Sequence, residues 1–196
     1  MYEKRFRLWE TAALLALALT LLSGVWARGR QRSIAGELLR LHVIAASDEA
    51  GEQALKLEVR DAVLAYLRPR LAGAESAAQA EELLRGELEG VREAAESASR
   101  GRPVSVLLGE EDYPLRRYGR LTLPAGRYRS LRVVLGSGQG RNWWCVVFPP
   151  LCLEAAEETL RESMSREDYA IVSGEEGFVL RSRLVELWGE LANALR

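Results

Sequence analysis

One histidine, two cysteines and only two lysines occur in this 196-residue chain. Each scarcity excludes something. With His42 as the sole imidazole, any Ser-His or Cys-His catalysis must use it. The nearby Ser47 and Asp48 come without a nucleophile elbow or another family-specific setting. Cys145, Cys152 and one distant His do not match a zinc spacing, so neither a metal nor another cofactor is expected. Asp-Thr-Gly and Asp-Ser-Gly are both missing, which excludes an aspartic protease. The net charge of -1 supplies no uniform field for nucleic acid, and basic residues do not interleave with aromatics in a stripe. Internal repeats and low-complexity tracts are absent as well.

The glycine-rich run Gly136-Ser137-Gly138-Gln139-Gly140 is not a phosphate cradle by this reading. That chemistry needs a helix N-terminus after the loop, whereas a strand pattern follows here. A hairpin turn is expected. The acidic pairs Glu110-Glu111 and Glu175-Glu176 read as solvated loop or turn residues. The chain is therefore read as non-enzymatic.

What is present begins at the N-terminus. A short basic stretch with Lys4, Arg5 and Arg7 precedes residues 11–27, none of which is charged. That uncharged run makes about 26 Å of helix, slightly under a bilayer core of about 30 Å. Val25-Trp26-Ala27 offers small residues at both positions a signal peptidase inspects. Residues 1–27 are thus read as a secretory signal with cleavage between Ala27 and Arg28, the rival being an uncleaved anchor. Arg28, Arg30 and Arg32 balance the basic residues on the other side, so charge decides orientation poorly. Both readings export the bulk of the chain.

Residues 28–37 read as a linker or short helix, and 38–196 as one exported domain. Leu39, Leu41, Val43 and Ala45 alternate as in a half-buried strand. Ser47-Asp48 offers an N-cap for a helix at about 51–68, with Leu55, Val59, Ala62 and Tyr66 on one face, a Glu52–Lys56 pair, and Pro69 as its stop. A second helix is expected over 74–100, weakened by Gly86 and Gly90. Strands follow at 104–108, 118–123, 128–135 and 143–148. Pro124-Ala125-Gly126 and the glycine run turn between them. Helices are expected near 154–163 and 183–195. The order predicts an α+β fold, a mostly antiparallel sheet packed with helices in two layers.

The densest segment is Gly140 to Cys152, GRNWWCVVFPPLC. As a strand it puts Trp143, Cys145 and Val147 on one face and Trp144, Val146 and Phe148 on the other. Either this is a central strand covered on both sides, or one Trp, with Tyr113 or Tyr118 nearby, belongs to a partner-binding patch. In an exported chain Cys145 and Cys152 can bond if Pro149-Pro150 brings their Cα atoms within about 7 Å. Closing so small a loop would contribute roughly 2.5 kcal/mol. Two buried free thiols are the alternative.

His42-Val-Ile-Ala-Ala-Ser-Asp48, Gln53-Ala-Leu-Lys-Leu57 and Val59-Arg-Asp-Ala-Val63 resemble the front of the stage II sporulation protein R family. Leu123-Pro-Ala-Gly-Arg-Tyr128, Leu131-Arg-Val-Val134, Asn142-Trp-Trp-Cys-Val146 and Phe148-Pro-Pro-Leu-Cys152 resemble its later half. The similarity runs in order over about 38–153. Ala46 departs from it, standing where the family usually has Asn. The resemblance implies a signalling protein of endospore formation, exported from the forespore into the space between forespore and mother-cell membranes. Its implied partner is a membrane-embedded aspartic-type protease that processes pro-sigma-E. Contact is expected through Arg141, Asn142 and the exposed member of Trp143 and Trp144, and also through His42 and Asp48. Membrane association through the N-terminus is transient or anchored on this reading. An exported hydrolase using His42 and an envelope-binding structural module are the alternatives.

Overall fold

Along β1 (Leu39–Ile44) side chains alternate between two environments, and the fold is organised around that division. The computed structural model describes residues 2–150 and 156–174. Leu39, Leu41 and Val43 enter one core, which is built with three helices. Those helices are α2 (Ala50–Leu71), α3 (Ala77–Gly86) and α4 (Leu88–Ala98). From α2 come Val59, Val63, Leu67 and Leu71, from α3 Ala77, Ala80 and Leu84, and from α4 Val91 and Ala95. Each fully buried Leu or Val contributes about 1.5–3 kcal/mol.

The strands are β2 (Val104–Tyr113), β3 (Arg116–Tyr118), β4 (Leu121–Leu123), β5 (Gly126–Leu135) and β6 (Asn142–Phe148). The main sheet has the order β2-β5-β1-β6, and β3 and β4 form a separate hairpin. β1 is parallel to β5 and antiparallel to β6, and β2 is antiparallel to β5. The α+β expectation holds, with a mixed sheet. Residues 118–123 divide into the two short strands of the hairpin rather than one strand of the sheet.

β1 lies between β5 and β6, so the glycine run is not a hairpin turn. It carries the chain across the C-terminal end of β1. Gly140 N–H donates to the Ala45 carbonyl at 2.9 Å and Gln139 N–H to Ala46 at 3.3 Å. A Cβ on Gly140 would lie 2.3 Å from the Ser47 carbonyl oxygen. Gly136 and Gly138 have φ of 55° and 64°, which favour glycine.

The second face of the sheet is partly covered. There Ile34 and Leu38 pack with Tyr113, Leu121, Leu123, Tyr128 and Val146. Leu160, Met164, Tyr169 and Val172 complete this core from α5 (Ala156–Ser163) and α6 (Arg166–Ser173) and the turn between them. Ser165 caps α6, accepting from the Asp168 N–H at 3.2 Å, and Gly174 ends it with φ 73°.

The N-terminal helix α1 (Tyr2–Gly36) continues through residues 28–36 of the stretch expected as a linker or short helix. Its last turns belong to the domain. Ile34 and Ala35 are buried, Ser33 donates to Asp168 at 2.5 Å, and Gln31 donates to the Arg127 carbonyl at 3.3 Å. Leu14, Leu17, Leu21, Val25 and Trp26 are exposed. The helix is long and apolar enough to cross a membrane.

Local differences from expectation have identifiable causes. The 74–100 helix is two helices meeting at Glu87, whose N–H bonds to the Leu84 carbonyl. Gly90 makes room for Tyr66, since a Cβ there would lie 1.7 Å from the Tyr66 hydroxyl. That hydroxyl donates to Glu87 at 2.6 Å. Pro69 sits inside the last turn of α2 instead of ending it. The buried stripe of α2 is Leu55, Val59, Val63 and Leu67, rotated away from Ala62. Its N-cap is Glu49, with no side-chain cap bond. Glu52 pairs with Arg102 instead of Lys56. The helix expected near 183–195 lies outside the described residues.

Candidate functional site

The register aligns residues into rows across the face opposite α2–α4. One row is Gly109, Ser130, Arg40 and Val146; the next is Leu107, Arg132, His42 and Trp144; the third is Ser105, Val134, Ile44 and Asn142. The first row has its buried members in the second core, beneath the β3–β4 hairpin and the end of α1. The other two run into the open. Leu107 is 47% exposed, Asn142 and Ser105 are exposed, and Ile44, Arg132, Val134 and Trp144 are half-buried. The result is an open, partly apolar half-face with one guanidinium near its middle.

A buried polar network underlies it. His42, only 3% exposed, stacks on Trp144 with ring centroids 3.6 Å apart. Tyr113 meets the same indole edge-on at 4.5 Å. His42 Nδ1 lies 2.8 Å from Glu111 Oε1, and the other carboxylate oxygen accepts from the Ser130 hydroxyl at 3.1 Å. Burial alone would raise the Glu111 carboxyl. The hydrogen bond and charge of His42, the Ser130 hydroxyl and the Arg132 charge outweigh it and hold the carboxyl below its ordinary value. His42 Nε2 is buried without a hydrogen-bond partner, so no nucleophile sits against it among the described residues.

Arg40 lies deeper and is fully buried. Its guanidinium donates to the Tyr118 hydroxyl at 2.6 Å and the Cys145 carbonyl at 3.3 Å. It also lies 4.0 Å from the Tyr113 ring centroid and 4.8 Å from that of Tyr128. Cation–π attraction is strongest when desolvated, as here. Burial raises the Tyr113 and Tyr118 phenols and pushes Tyr128 up to about 12, with Arg40 opposing the rise.

Asp48 and Arg141 meet beyond the strand ends. Asp48 Oδ1 accepts from the Arg141 N–H at 2.7 Å, and Lys56 Nζ donates to the Arg141 carbonyl at 2.9 Å. Burial, then the Arg141 charge, lowers the Lys56 ammonium. Asp48 thus supports the turn through the β5–β6 connection instead of capping α2. Ala46 takes part through its backbone: its carbonyl accepts from the Ser137 hydroxyl at 2.9 Å.

The structure divides the six residues singled out for partner binding. His42, Trp144 and Asn142 share the open face. Arg141 and Asp48 form the loop contact. Trp143 points to the α2–α4 side, where the Arg60 guanidinium lies 4.4 Å from its ring centroid. Neither tryptophan is fully exposed. His42 is on a central strand, and β6, like β2, is an edge strand of the main sheet among the described residues. A register shift between Leu39 and Arg40 turns both Val147 and Phe148 toward the helical side, so Phe148 does not share the Trp144 face. Cys145 is buried and is not a free thiol, whereas Cys152, its expected partner, lies outside the described residues. Ala27 is buried within α1 and Arg28 is exposed.

Sequence reasoning missed Arg40, Glu111, Ser130 and Arg132. Glu110 and Glu111 are strand residues, not loop residues, and Glu111 is half-buried. Glu175 and Glu176 lie outside the described residues. One signal was available: Arg40 and His42 alternate with Leu39, Leu41 and Val43, which marks a polar face on a strand too apolar to be exposed. Its partners lie about 70 to 100 positions away and needed the pairing. Among the described residues, no group of three or more His, Cys, Asp or Glu is placed to hold a metal ion.

A family model described as stage II sporulation protein R matches residues 35–158, from the end of α1 through β6 into α5. The stage II sporulation protein R of Bacillus subtilis (strain 168) is 34% identical over 123 residues, covering 61% of this chain and 55% of that protein. The chain thus aligns with about half the length of the curated relative it matches. No solved structure matches.

Proposed function

The chain belongs to the stage II sporulation protein R family, and from that premise we propose that it is an exported signal of endospore formation. On this reading it leaves the forespore, and its domain lies between the forespore and mother-cell membranes. There it activates the membrane-embedded aspartic-type protease that removes the pro-segment of sigma-E. Its own role is binding, not catalysis. The observation that carries the reading is the extent of the family match, which contains every strand of both sheets. The apolar exposed helix α1 supports export, as a signal or as an anchor.

The contact surface we assign is the open half-face, with Trp144 as anchor on β6, Ile44 on the adjacent β1, Arg132 on β5 as the charged group, and Leu107 at the far edge on β2. Tryptophan and arginine dominate such contacts. His42 stacks on the indole and Glu111 holds His42, so the anchor is fixed before binding and less side-chain freedom is lost on contact. Activation follows if the domain binds the active state of the protease more tightly than the inactive one. His42 is a positioning residue here. Its burial under Trp144, with no nucleophile bonded to Nε2 among the described residues, argues against the hydrolase alternative.

The test is reconstitution. The chain, the protease and pro-sigma-E are co-expressed in a heterologous bacterium, with and without residues 1–27, and processing is followed by gel. Processing only with the exported form is expected. Leu107→Glu, a change at an exposed position, should abolish it with the domain still folded. Processing that is the same with or without this chain would overturn the reading.

A further inference from the structure

Where α1 joins the domain there is a basic cleft of about 540 Å³. Arg28, Gln31 and Arg32 line it from α1, and Glu110, Arg127 and Arg129 from β2 and β5. Four guanidiniums therefore surround it against one carboxylate. Arg127 is bonded to Glu110 at 2.8 Å and Arg129 to Glu81 at 3.0 Å. Arg28 and Arg32 have no hydrogen bond or ion pair among the described residues. They stand at i and i+4 on one helix, where like charges repel. The cleft thus holds cationic donors in excess of carboxylate acceptors.

Position says which anion. The exposed apolar stretch of α1 is bracketed by Trp9 and Trp26, 75% and 53% exposed. They are 17 positions apart, about 26 Å along the helix. Tryptophans collect at the two interfaces of a bilayer. Arg28 follows Trp26 by about 3 Å along the helix axis and Arg32 by about 9 Å. That is headgroup depth, where arginines beside a membrane span reach the phosphate layer. The last turns of α1 are fastened to the domain by Ile34, by Ser33 on Asp168 and by Gln31 on the Arg127 carbonyl. The cleft is thereby held at a fixed place relative to the span.

We propose that this cleft binds the phosphate of an anionic phospholipid in the bilayer that α1 enters, and so sets the orientation of the domain on the membrane. Arginine suits this role, because its planar fork donates two parallel hydrogen bonds to a phosphate. The inference rests on α1 lying in a membrane, not on the identity of the signalling partner. Its test contains no protease, so its failure is separable from that of the reconstitution.

The full chain is placed in nanodiscs of phosphatidylcholine with one quarter phosphatidylglycerol. It is then released into detergent, and the lipids retained per chain are counted by native mass spectrometry. Wild type should retain about one phosphatidylglycerol, at a phosphatidylglycerol-to-phosphatidylcholine ratio tenfold or more above that of the bilayer. The Arg28→Gln/Arg32→Gln double variant should lose that preference. Neither side chain is paired among the described residues, so its circular dichroism and Tm should match wild type. Equal enrichment in the two proteins would overturn the proposal. A second arm adds inorganic phosphate at 10 mM. Retention of the lipid supports a lipid site, whereas full displacement with phosphate bound in its place would show a free-anion site and overturn the lipid assignment.

Discussion

Gly140→Ala should unfold the candidate site from its outer end. The new Cβ would lie 2.3 Å from the Ser47 carbonyl oxygen and 2.6 Å from its carbon, both backbone atoms that cannot rotate aside. The loop must lift from the end of β1. Lifting endangers the 2.9 Å bond from Gly140 N–H to Ala45 and the 2.7 Å bond from Arg141 N–H to Asp48. Overpacking typically costs about 1–3 kcal/mol, and a weakened hydrogen bond adds about 1 kcal/mol. A total of about 2–4 kcal/mol follows. For a domain of this size each kcal/mol lowers Tm by about 2–4 °C, so the expected fall is about 4–16 °C. The matched control is Gly109→Ala, on the open face of β2 with nothing within 4 Å of its would-be Cβ. Glycine weakens a strand interior, so this change should stabilise by up to about 1 kcal/mol. Thermal melts of the two variants beside wild type decide the matter. A Gly140→Ala protein within 1 °C of wild type would refute the argument that the loop is clamped on β1. Equal losses in both variants would refute the claim that the cost is local to the crossing.

Three further outcomes are expected. Glu111 is held below its ordinary value when folded and returns to about 4.3 when unfolded. The stability it contributes is therefore complete above the unfolded value and disappears as pH falls through the folded one. Urea midpoints of wild type and Glu111→Gln should converge below about pH 4, and a constant difference into acid would count against the His42–Glu111 contact. Arg40→Ala removes two hydrogen bonds made by a charge and the contact with two tyrosine rings, and should cost about 3–5 kcal/mol by chemical denaturation. Arg40→Lys should recover less than half of that, since an ammonium has no planar fork to lay across the rings. Trp144→Ala should lower pro-sigma-E processing at unchanged protein level. Trp143→Ala should instead act through stability, because it removes packing between β6 and α2.

The elements visible in the sequence are those whose signal is local. Alternation in β1 and the helical period of α2 each lie within one segment, and both elements fall within a few residues of expectation, whereas α1 extends nine residues beyond the uncharged run at each end. Pairing is not local, and the errors concentrate there. Gly136 to Gly140 has the composition of a hairpin turn, yet its glycines serve a crossing over β1. That became legible only when β1 was found between β5 and β6. Glu111 reads as a surface carboxylate until the register places it beside the His42 row. The double tryptophan was legible in half: the two-residue period separates Trp143 from Trp144, but which indole meets solvent depends on what covers each face. On one side Arg60 from α2 lies over the ring. On the other the hairpin stops short, leaving Trp144 half-buried beside Asn142 at the margin of the open face. The same argument fixes the meaning of the lone histidine. A single imidazole beside Ser47 and Asp48 in sequence invites a catalytic reading, but strand geometry sends His42 to the opposite side from its core neighbours and under Trp144. In this position it stacks on the indole and holds a carboxylate, and that gives Trp144 a rigid floor.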